Sequence, residues 1–229
     1  MYISYDFSFD DGTRHQVVVD VLRAERETPL TSRTPPPDWT RLDYKQCPNC
    51  PLKAEHSPRC PPAVDLVPTM DAFARIISHT EAQVTVKMAE RTVTHRCQAQ
   101  QALSSLVALM MATSGCPILG RMRGLARTHV PFATLEESLV RSLGAYLLGQ
   151  LLVQRGGGEP DWDLQKLKDH YAQLEVLNKA FKARVRAASQ QDASLNAVSA
   201  LGILSMGIGF SIDDQLEALL PYTVLGGDP

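Results

Sequence analysis

The densest group of metal-ligand residue types lies between positions 47 and 60. Cys47, Cys50, His56 and Cys60 follow the spacing C-x2-C-x5-H-x3-C. The two thiolates of a CxxC turn can converge on one ion, and the histidine and last cysteine follow closely enough to complete a tetrahedron. Mixed sulfur and nitrogen ligands in this geometry favour Zn²⁺ as the cofactor. We therefore predict a zinc knuckle over residues 47–60.

Alternatives to this ligand set stay open. An iron–sulfur centre also uses cysteine thiolates, and a CxxC pair can form a redox couple. His95 or Cys97, both on a predicted strand, could replace His56 as a ligand. Four protein ligands close the coordination shell, which favours a structural metal over a catalytic one. We expect such a metal to tie the polar 24–60 region to the rest of the chain.

A second segment, around Cys116, contains residue types that could support catalysis or ligand binding. Gly115 ends one predicted helix and Pro117 begins the next, so Cys116 lies near a helix start, where the helix dipole favours a thiolate. One functional interpretation is an anion pocket in which Cys116 is a nucleophile and His129 its base. The structural interpretation is a small buried cysteine, with arginines that pair with neighbouring acidic residues. The basic residues that could bind a phosphate or carboxylate here are Arg121, Arg123, Arg127 and His129.

The elements around the first cluster are predicted to be strands and one helix. Apolar and polar residues alternate through two pairs of segments, which indicates two β-hairpins. The first pair flanks a turn at Asp10-Asp11-Gly12. Between the hairpins, residues 62–78 have helical spacing. The four predicted strands cover residues 2–9, 15–22, 83–88 and 91–97.

After Gln98 the sequence has helical patterns throughout. Thr134 and Glu137 form a predicted capping box, and three glycines at 156–158 are expected to end that helix. An apolar stripe with Lys and Arg opposite indicates that one face of the 163–187 helix is buried. The predicted helices are 98–113, 117–127, 134–154, 163–187, 192–208 and 213–220.

The fold class that follows is α+β: a small antiparallel sheet from two hairpins with a zinc-knuckle insertion, then a C-terminal helical bundle. We expect a β-rich region over 1–97 and a helical bundle over 98–229, packed as one unit.

Composition narrows the possible partners. The 229 residues include 23 Lys and Arg against 25 Asp and Glu, a formal net charge of -2, which removes the electrostatic basis for generic nucleic-acid binding.

Two uncharged stretches, 99–120 and 193–212, contain polar residues and helix breakers, so we predict buried helices rather than membrane spans. The first residues lack the features of a signal peptide, and five cysteines without one indicate a reducing cytoplasm.

Several strings in the sequence resemble a known family. They are Cys47-Pro-Asn-Cys50-Pro-Leu, Arg59-Cys60-Pro-Pro-Ala-Val, and Ala112-Thr-Ser-Gly-Cys-Pro together with His129-Val-Pro-Phe-Ala-Thr. Over nearly the whole chain the sequence resembles a bacterial family of domains of unknown function. The resemblance implies a bacterial cytosolic protein and brings no established activity.

Together these observations favour a cytoplasmic zinc-binding protein without enzymatic activity. We expect it to act as a signalling or assembly adaptor, binding a protein partner or a second copy through its helical face. The alternative is an enzyme, or a receptor for a small anion such as a phosphate, carboxylate or nucleotide, built on the cluster of Cys116, the arginines and His129. No complete set of catalytic residues is present in either cluster.

Overall fold

Two β-hairpins join into a four-stranded antiparallel sheet in the computed structural model, which describes residues 1–23, 36–188 and 216–223. The order across the sheet is β2-β1-β3-β4, so the first strand of each hairpin lies in the centre. Both predicted hairpins are confirmed. The strands are β1 (Tyr2–Phe9), β2 (Arg14–Asp20), β3 (Glu81–Lys87) and β4 (Thr92–Gln98).

Alternation along β1 determines which face of the sheet is buried. Tyr5 pairs with Val17 of β2 on one side and with Val86 of β3 on the other. Gly12, in the β1–β2 turn, has a φ of +85°, a conformation that a residue without Cβ adopts easily. The buried side chains of β1 are Ile3, Tyr5, Phe7 and Phe9.

The described residues also form five α-helices: α1 (Pro61–Ala72), α2 (Ala99–Thr113), α3 (Arg123–Arg127), α4 (Leu135–Arg155) and α5 (Gln165–Ala188). Short 3-10 helices span Asp38–Thr40, Leu119–Met122 and Glu217–Tyr222. The sheet with these helices confirms the α+β class. The predicted helix 192–208 lies outside the described residues, and of 213–220 only the part from 216 is described.

Two predicted helices are shorter or more broken than expected. The 62–78 helix ends at Ala72, because Phe73 leaves helical geometry and packs edge-on against Phe7 with ring centroids 4.7 Å apart. The 117–127 helix is a 3-10 turn followed by the short α3. Gly120 and Gly124 lie in this stretch, and glycine lowers helix propensity by about 1 kcal/mol relative to alanine.

The predicted ends of α4 are confirmed. The Thr134 backbone N–H donates to Glu137 Oε2 (2.8 Å), and the Glu137 N–H donates to Thr134 Oγ1 (3.2 Å), which completes the capping box. Gly156 is the C-cap residue, and Gly157 has a φ of +80°.

One hydrophobic core is shared by the sheet and the helices. The predicted apolar stripe of the 163–187 helix is buried in it: Leu164, which directly precedes α5, and Leu167, Tyr171, Leu174, Phe181 and Val185 within α5. One basic residue departs from the prediction, because Arg184 is buried with only 1% of its surface exposed.

Among the described helices, none is long and apolar enough to cross a membrane. The uncharged stretch 99–120 begins with α2, whose apolar side chains belong to the core. The other stretch, 193–212, lies outside the described residues.

Candidate functional site

Four cysteines from three parts of the chain line one cavity, which we call the four-cysteine pocket. Cys47 and Cys50 come from one turn, Cys60 precedes α1, and Cys116 follows α2. The cavity volume is about 20 Å³. All five cysteines of the chain are free thiols. The remaining lining residues are apolar: Leu42, Pro51, Leu52, Pro61, Pro62, Ile118, Leu177 and Phe181.

Three of the four predicted zinc ligands meet in this pocket, and His56 does not line it. His56 lies in a turn, where its N–H donates to the Lys53 carbonyl (3.1 Å) and its side chain is exposed. Cys116 lines the pocket instead. The two other candidate ligands lie on β4, where His95 packs against the Phe132 ring and Cys97 is buried in the core.

A buried arginine on α5 anchors the segment that leads to the pocket. The guanidinium of Arg184 donates to three backbone oxygens, those of Trp39 (2.8 Å), Arg41 (2.6 Å) and Leu42 (3.0 Å). A buried cation satisfied by several acceptors holds its partners firmly in place. These hydrogen bonds therefore help to hold the described part of the 24–60 region against α5. The sequence pattern predicts that a metal holds this region.

The turn that carries Cys47 and Cys50 also lies against α5. Asn49 Nδ2 donates to the Gln173 carbonyl at 2.9 Å, and the Cys47 thiol points to the Leu177 carbonyl at 3.9 Å. The Cys50 N–H donates to the Cys47 carbonyl (3.0 Å), which closes the turn. The first two thiols thus have positions fixed by one helix.

Burial disfavours the charged form of three of the four pocket thiols. It raises the pKa of Cys47 to about 11 and that of Cys60 to about 12, and it also raises the pKa of Cys116. The positive charge of Arg184 acts in the opposite direction on the pKa of Cys47 and Cys60. A thiolate formed here is therefore stabilised by a nearby cation.

Backbone amides also favour thiolates in the pocket. The Ala63 amide, in the first turn of α1, lowers the pKa of Cys60. The amides of Leu119 and Ile118 do the same for Cys116. Hydrogen bonds from backbone N–H groups to sulfur are a common feature of metal–thiolate sites.

The thiols surround the cavity without closing on one point. Throughout residues 1–23, 36–188 and 216–223, no group of three or more His, Cys, Asp or Glu side chains is arranged to hold a metal ion. In tetrahedral zinc sites Zn–S bonds of about 2.3 Å bring the sulfurs to about 3.8 Å from one another. A single zinc ion in this pocket therefore requires the thiols to move inward.

The arginines near Cys116 do not line the four-cysteine pocket. Arg123 Nη2 donates to the carbonyl oxygens of Thr113 (3.3 Å) and Ser114 (3.1 Å) at the end of α2. Arg121 and Arg127 are exposed. Of the three arginines predicted to bind an anion, Arg123 is thus engaged with backbone oxygens, and Arg121 and Arg127 face solvent.

His129 belongs to a different cluster from Cys116. Its Nε2 lies 2.6 Å from Tyr5 Oη, which also lies 2.8 Å from Ser105 Oγ. Burial and the charge of Arg141 lower the pKa of His129 to about 4. A general base at neutral pH needs a pKa near 7, and a nucleophilic cysteine needs a lowered one. Both pKa shifts therefore oppose the pairing of a Cys116 nucleophile with a His129 base.

Sequence reasoning missed the association of Cys116 with the knuckle cysteines and the burial of Arg184. One feature of the local sequence could have associated Cys116 with the knuckle cysteines. Each pocket cysteine precedes a proline, whereas Cys97, outside the pocket, precedes Gln98. No comparable signal identifies Arg184, since lysines and arginines recur along the same helix.

Comparison with known proteins adds a family without an assigned activity. No curated protein and no solved structure matches the chain. A family model described as a domain of unknown function (DUF6901) matches residues 3–222, and the chain belongs to this family.

Proposed function

We propose that the protein is a metal-binding protein whose centre is held by the thiolates of Cys47, Cys50, Cys60 and Cys116. The observation that carries this proposal is that all four line one cavity whose other lining residues are apolar. No side-chain nitrogen or oxygen ligand belongs to that lining. Zinc, which the sequence favours, and an iron–sulfur cluster are the two centres that commonly take four cysteine ligands.

The role we propose for the metal is structural. The pocket joins the 47–50 turn, the start of α1 and the segment after α2, and all three meet residues of α5. Four protein ligands leave no open coordination position for a substrate. Metal binding at such a site stabilises the folded state, because the ligands converge only there.

The adaptor part of the proposal rests on the C-terminal half of α4. Leu148 and Leu152, one helical turn apart, are 59% and 60% exposed. Leu147 and Leu151 form the adjacent row and are 39% and 37% exposed. Side chains four residues apart lie on the same face of a helix. We call these four residues the leucine face.

We assign this face to a second copy of the chain. Residues 147–153 contain no charged side chain, so a partner needs no complementary charge to cover them. A two-fold axis places the same surface on both partners, and an uncharged apolar row is complementary to itself. The proposed function is therefore that of a metal-stabilised, non-enzymatic assembly module.

Metal content per chain in matched variants tests the metal site. We expect Cys116→Ser to weaken metal affinity about tenfold or more and so to lower the metal content, because it removes a ligand. Cys97→Ser is the matched control, since Cys97 is also buried but lies outside the pocket, and it should keep the wild-type content. His56→Ala should keep it as well.

The reverse pattern contradicts the proposed ligand set. If His56→Ala loses the metal while Cys116→Ser retains it, the ligands are those of the 47–60 segment alone. Circular dichroism of each variant shows whether a loss of metal accompanies a loss of fold.

A further inference from the structure

We infer that the centre in the four-cysteine pocket is a four-iron, four-sulfide (4Fe–4S) cluster rather than a single zinc ion. This inference rests on the proposed function, because it names the metal centre of the same site. It draws on the space between the thiols, the identity of the ligands and the charges around them.

The space in the pocket exceeds what a zinc site leaves. At the sulfur separation of about 3.8 Å in a tetrahedral zinc site, the sulfurs touch one another and no water-sized space remains. Here a cavity of about 20 Å³ lies between residues that include all four cysteines. One water needs about 10–15 Å³ of such volume. The four cysteines therefore line more space than a closed zinc site leaves, which favours a larger centre held at greater sulfur separations.

The ligands are all of the type that iron–sulfur clusters use. Four cysteine thiolates hold a 4Fe–4S cluster, and in bacterial ferredoxin sequences the last cysteine precedes a proline. All four pocket cysteines precede prolines, namely Pro48, Pro51, Pro61 and Pro117. Proline keeps the preceding residue extended and offers no N–H group. Cys60 has this backbone, with φ -76° and ψ 114°.

The surroundings of the pocket favour an anionic group. Arg184 is 1% exposed, and its guanidinium donates to the carbonyl oxygen of Leu42, a lining residue of the pocket (3.0 Å). Its Nε has no hydrogen-bond partner among the described residues. One N–H group of this buried cation is therefore left to pair with an acceptor, as an anionic centre would provide.

Cluster binding balances without a change of oxidation state. Four cysteine thiols bind a preassembled cluster core with a charge of 2+. Four S–H bonds break as four Fe–S bonds form. Four protons pass to solvent, and the bound centre carries a net charge of 2−. The positive charge of Arg184, held against the Leu42 carbonyl at the pocket, offsets part of that charge where the other lining residues are apolar.

The test is the iron, sulfide and zinc content of the full chain, purified without oxygen or chelator. We expect about four iron atoms and about four sulfides per chain. The protein should show the broad visible absorption of sulfide-to-iron charge transfer. Cys116→Ser should lose most of the iron and the absorption, whereas Cys97→Ser should keep both.

The outcomes separate this inference from the proposed function. About one zinc per chain without sulfide overturns the cluster and leaves the four-thiolate site intact. Two irons and two sulfides also overturn the four-iron assignment. Folded wild-type protein without any metal contradicts both. If Cys116→Ser does not fold, the sulfide count of the wild-type protein still decides between cluster and zinc.

Discussion

The thiols of Cys47, Cys60 and Cys116 carry protons at neutral pH, and any metal that binds them must displace those protons. Their pKa values are raised because burial disfavours the charged thiolate. Metal binding and thiol ionisation are thus coupled in this pocket. The coupling has a definite sign: the metal-free state binds more protons, so raising the pH favours the metal-bound state.

Proton release measures this coupling directly. We predict that Zn²⁺, used as a probe and titrated into metal-free protein at pH 7, releases at least three protons per ion, one each from Cys47, Cys60 and Cys116. Calorimetry in buffers with different ionisation heats counts these protons. Cys97→Ser should release the same number. Release of fewer than one proton per ion would show that thiols are not the ligands.

Local spacing reveals only part of the pocket. Cys47, Cys50 and Cys60 lie within one short segment, so their spacing alone predicts that they converge. Cys116 reaches them because α1 packs against α2, and residue spacing does not encode that contact. His56 has suitable spacing as well, but its turn directs it to solvent. Sequence therefore locates three of the four pocket cysteines but not the fourth.

At the scale of elements, α5 is the support on which the pocket is built. It contributes Leu177 and Phe181 to the lining and Arg184 to the carbonyl oxygens of residues 39–42. The segment before Cys47 has few buried apolar side chains of its own, Leu42 being one. Its position therefore depends on the charged hydrogen bonds from α5.

Replacing Arg184 tests this dependence. We predict that Arg184→Met lowers the free energy of unfolding by about 3 kcal/mol, because three carbonyl oxygens lose a charged donor. Chemical denaturation measures the change. Arg186→Met on the exposed side of α5 is the matched control and should alter the free energy by no more than about 0.5 kcal/mol. Equal effects of the two substitutions would refute the anchoring role.

Elements with strong periodicity or explicit caps were predictable from sequence. The capping box and glycine stop define α4, and the apolar stripe defines α5. The end of α1 was not predictable, because Phe73 leaves the helix to pack against Phe7 of a distant strand. Where tertiary packing and local helix propensity favour different helix ends, tertiary packing determines where the helix ends.

At the scale of the whole molecule, sequence patterns do not predict how the two hairpins are arranged in the sheet. Each hairpin follows from alternation and a turn, but the pairing of β1 with β3 joins segments far apart in the chain. Ile3, Tyr5 and Phe7 of β1 are buried in the core, where α2 packs against the sheet. The α+β class follows from the order of patterns, whereas the strand order requires the structure.

The assembly of two molecules is the prediction at this scale. We expect light scattering to show a dimer of the wild-type chain, and Leu148→Lys with Leu152→Lys to give a monomer. Both leucines are exposed, so the double variant should unfold near the wild-type temperature. Val176→Lys, an exposed apolar position on α5, should remain dimeric. A wild-type chain that stays monomeric at every concentration would contradict the leucine-face dimer.

X-ray absorption at the metal edge of the purified protein tests the central claim most directly, because it identifies the atoms bound to the metal. The four-cysteine pocket predicts a shell of sulfur neighbours alone at about 2.3 Å, with an additional iron–iron distance if the centre is the cluster. A shell with a nitrogen neighbour at about 2.0 Å would contradict it. That result would place a histidine, such as His56, among the ligands in place of one of the four cysteines.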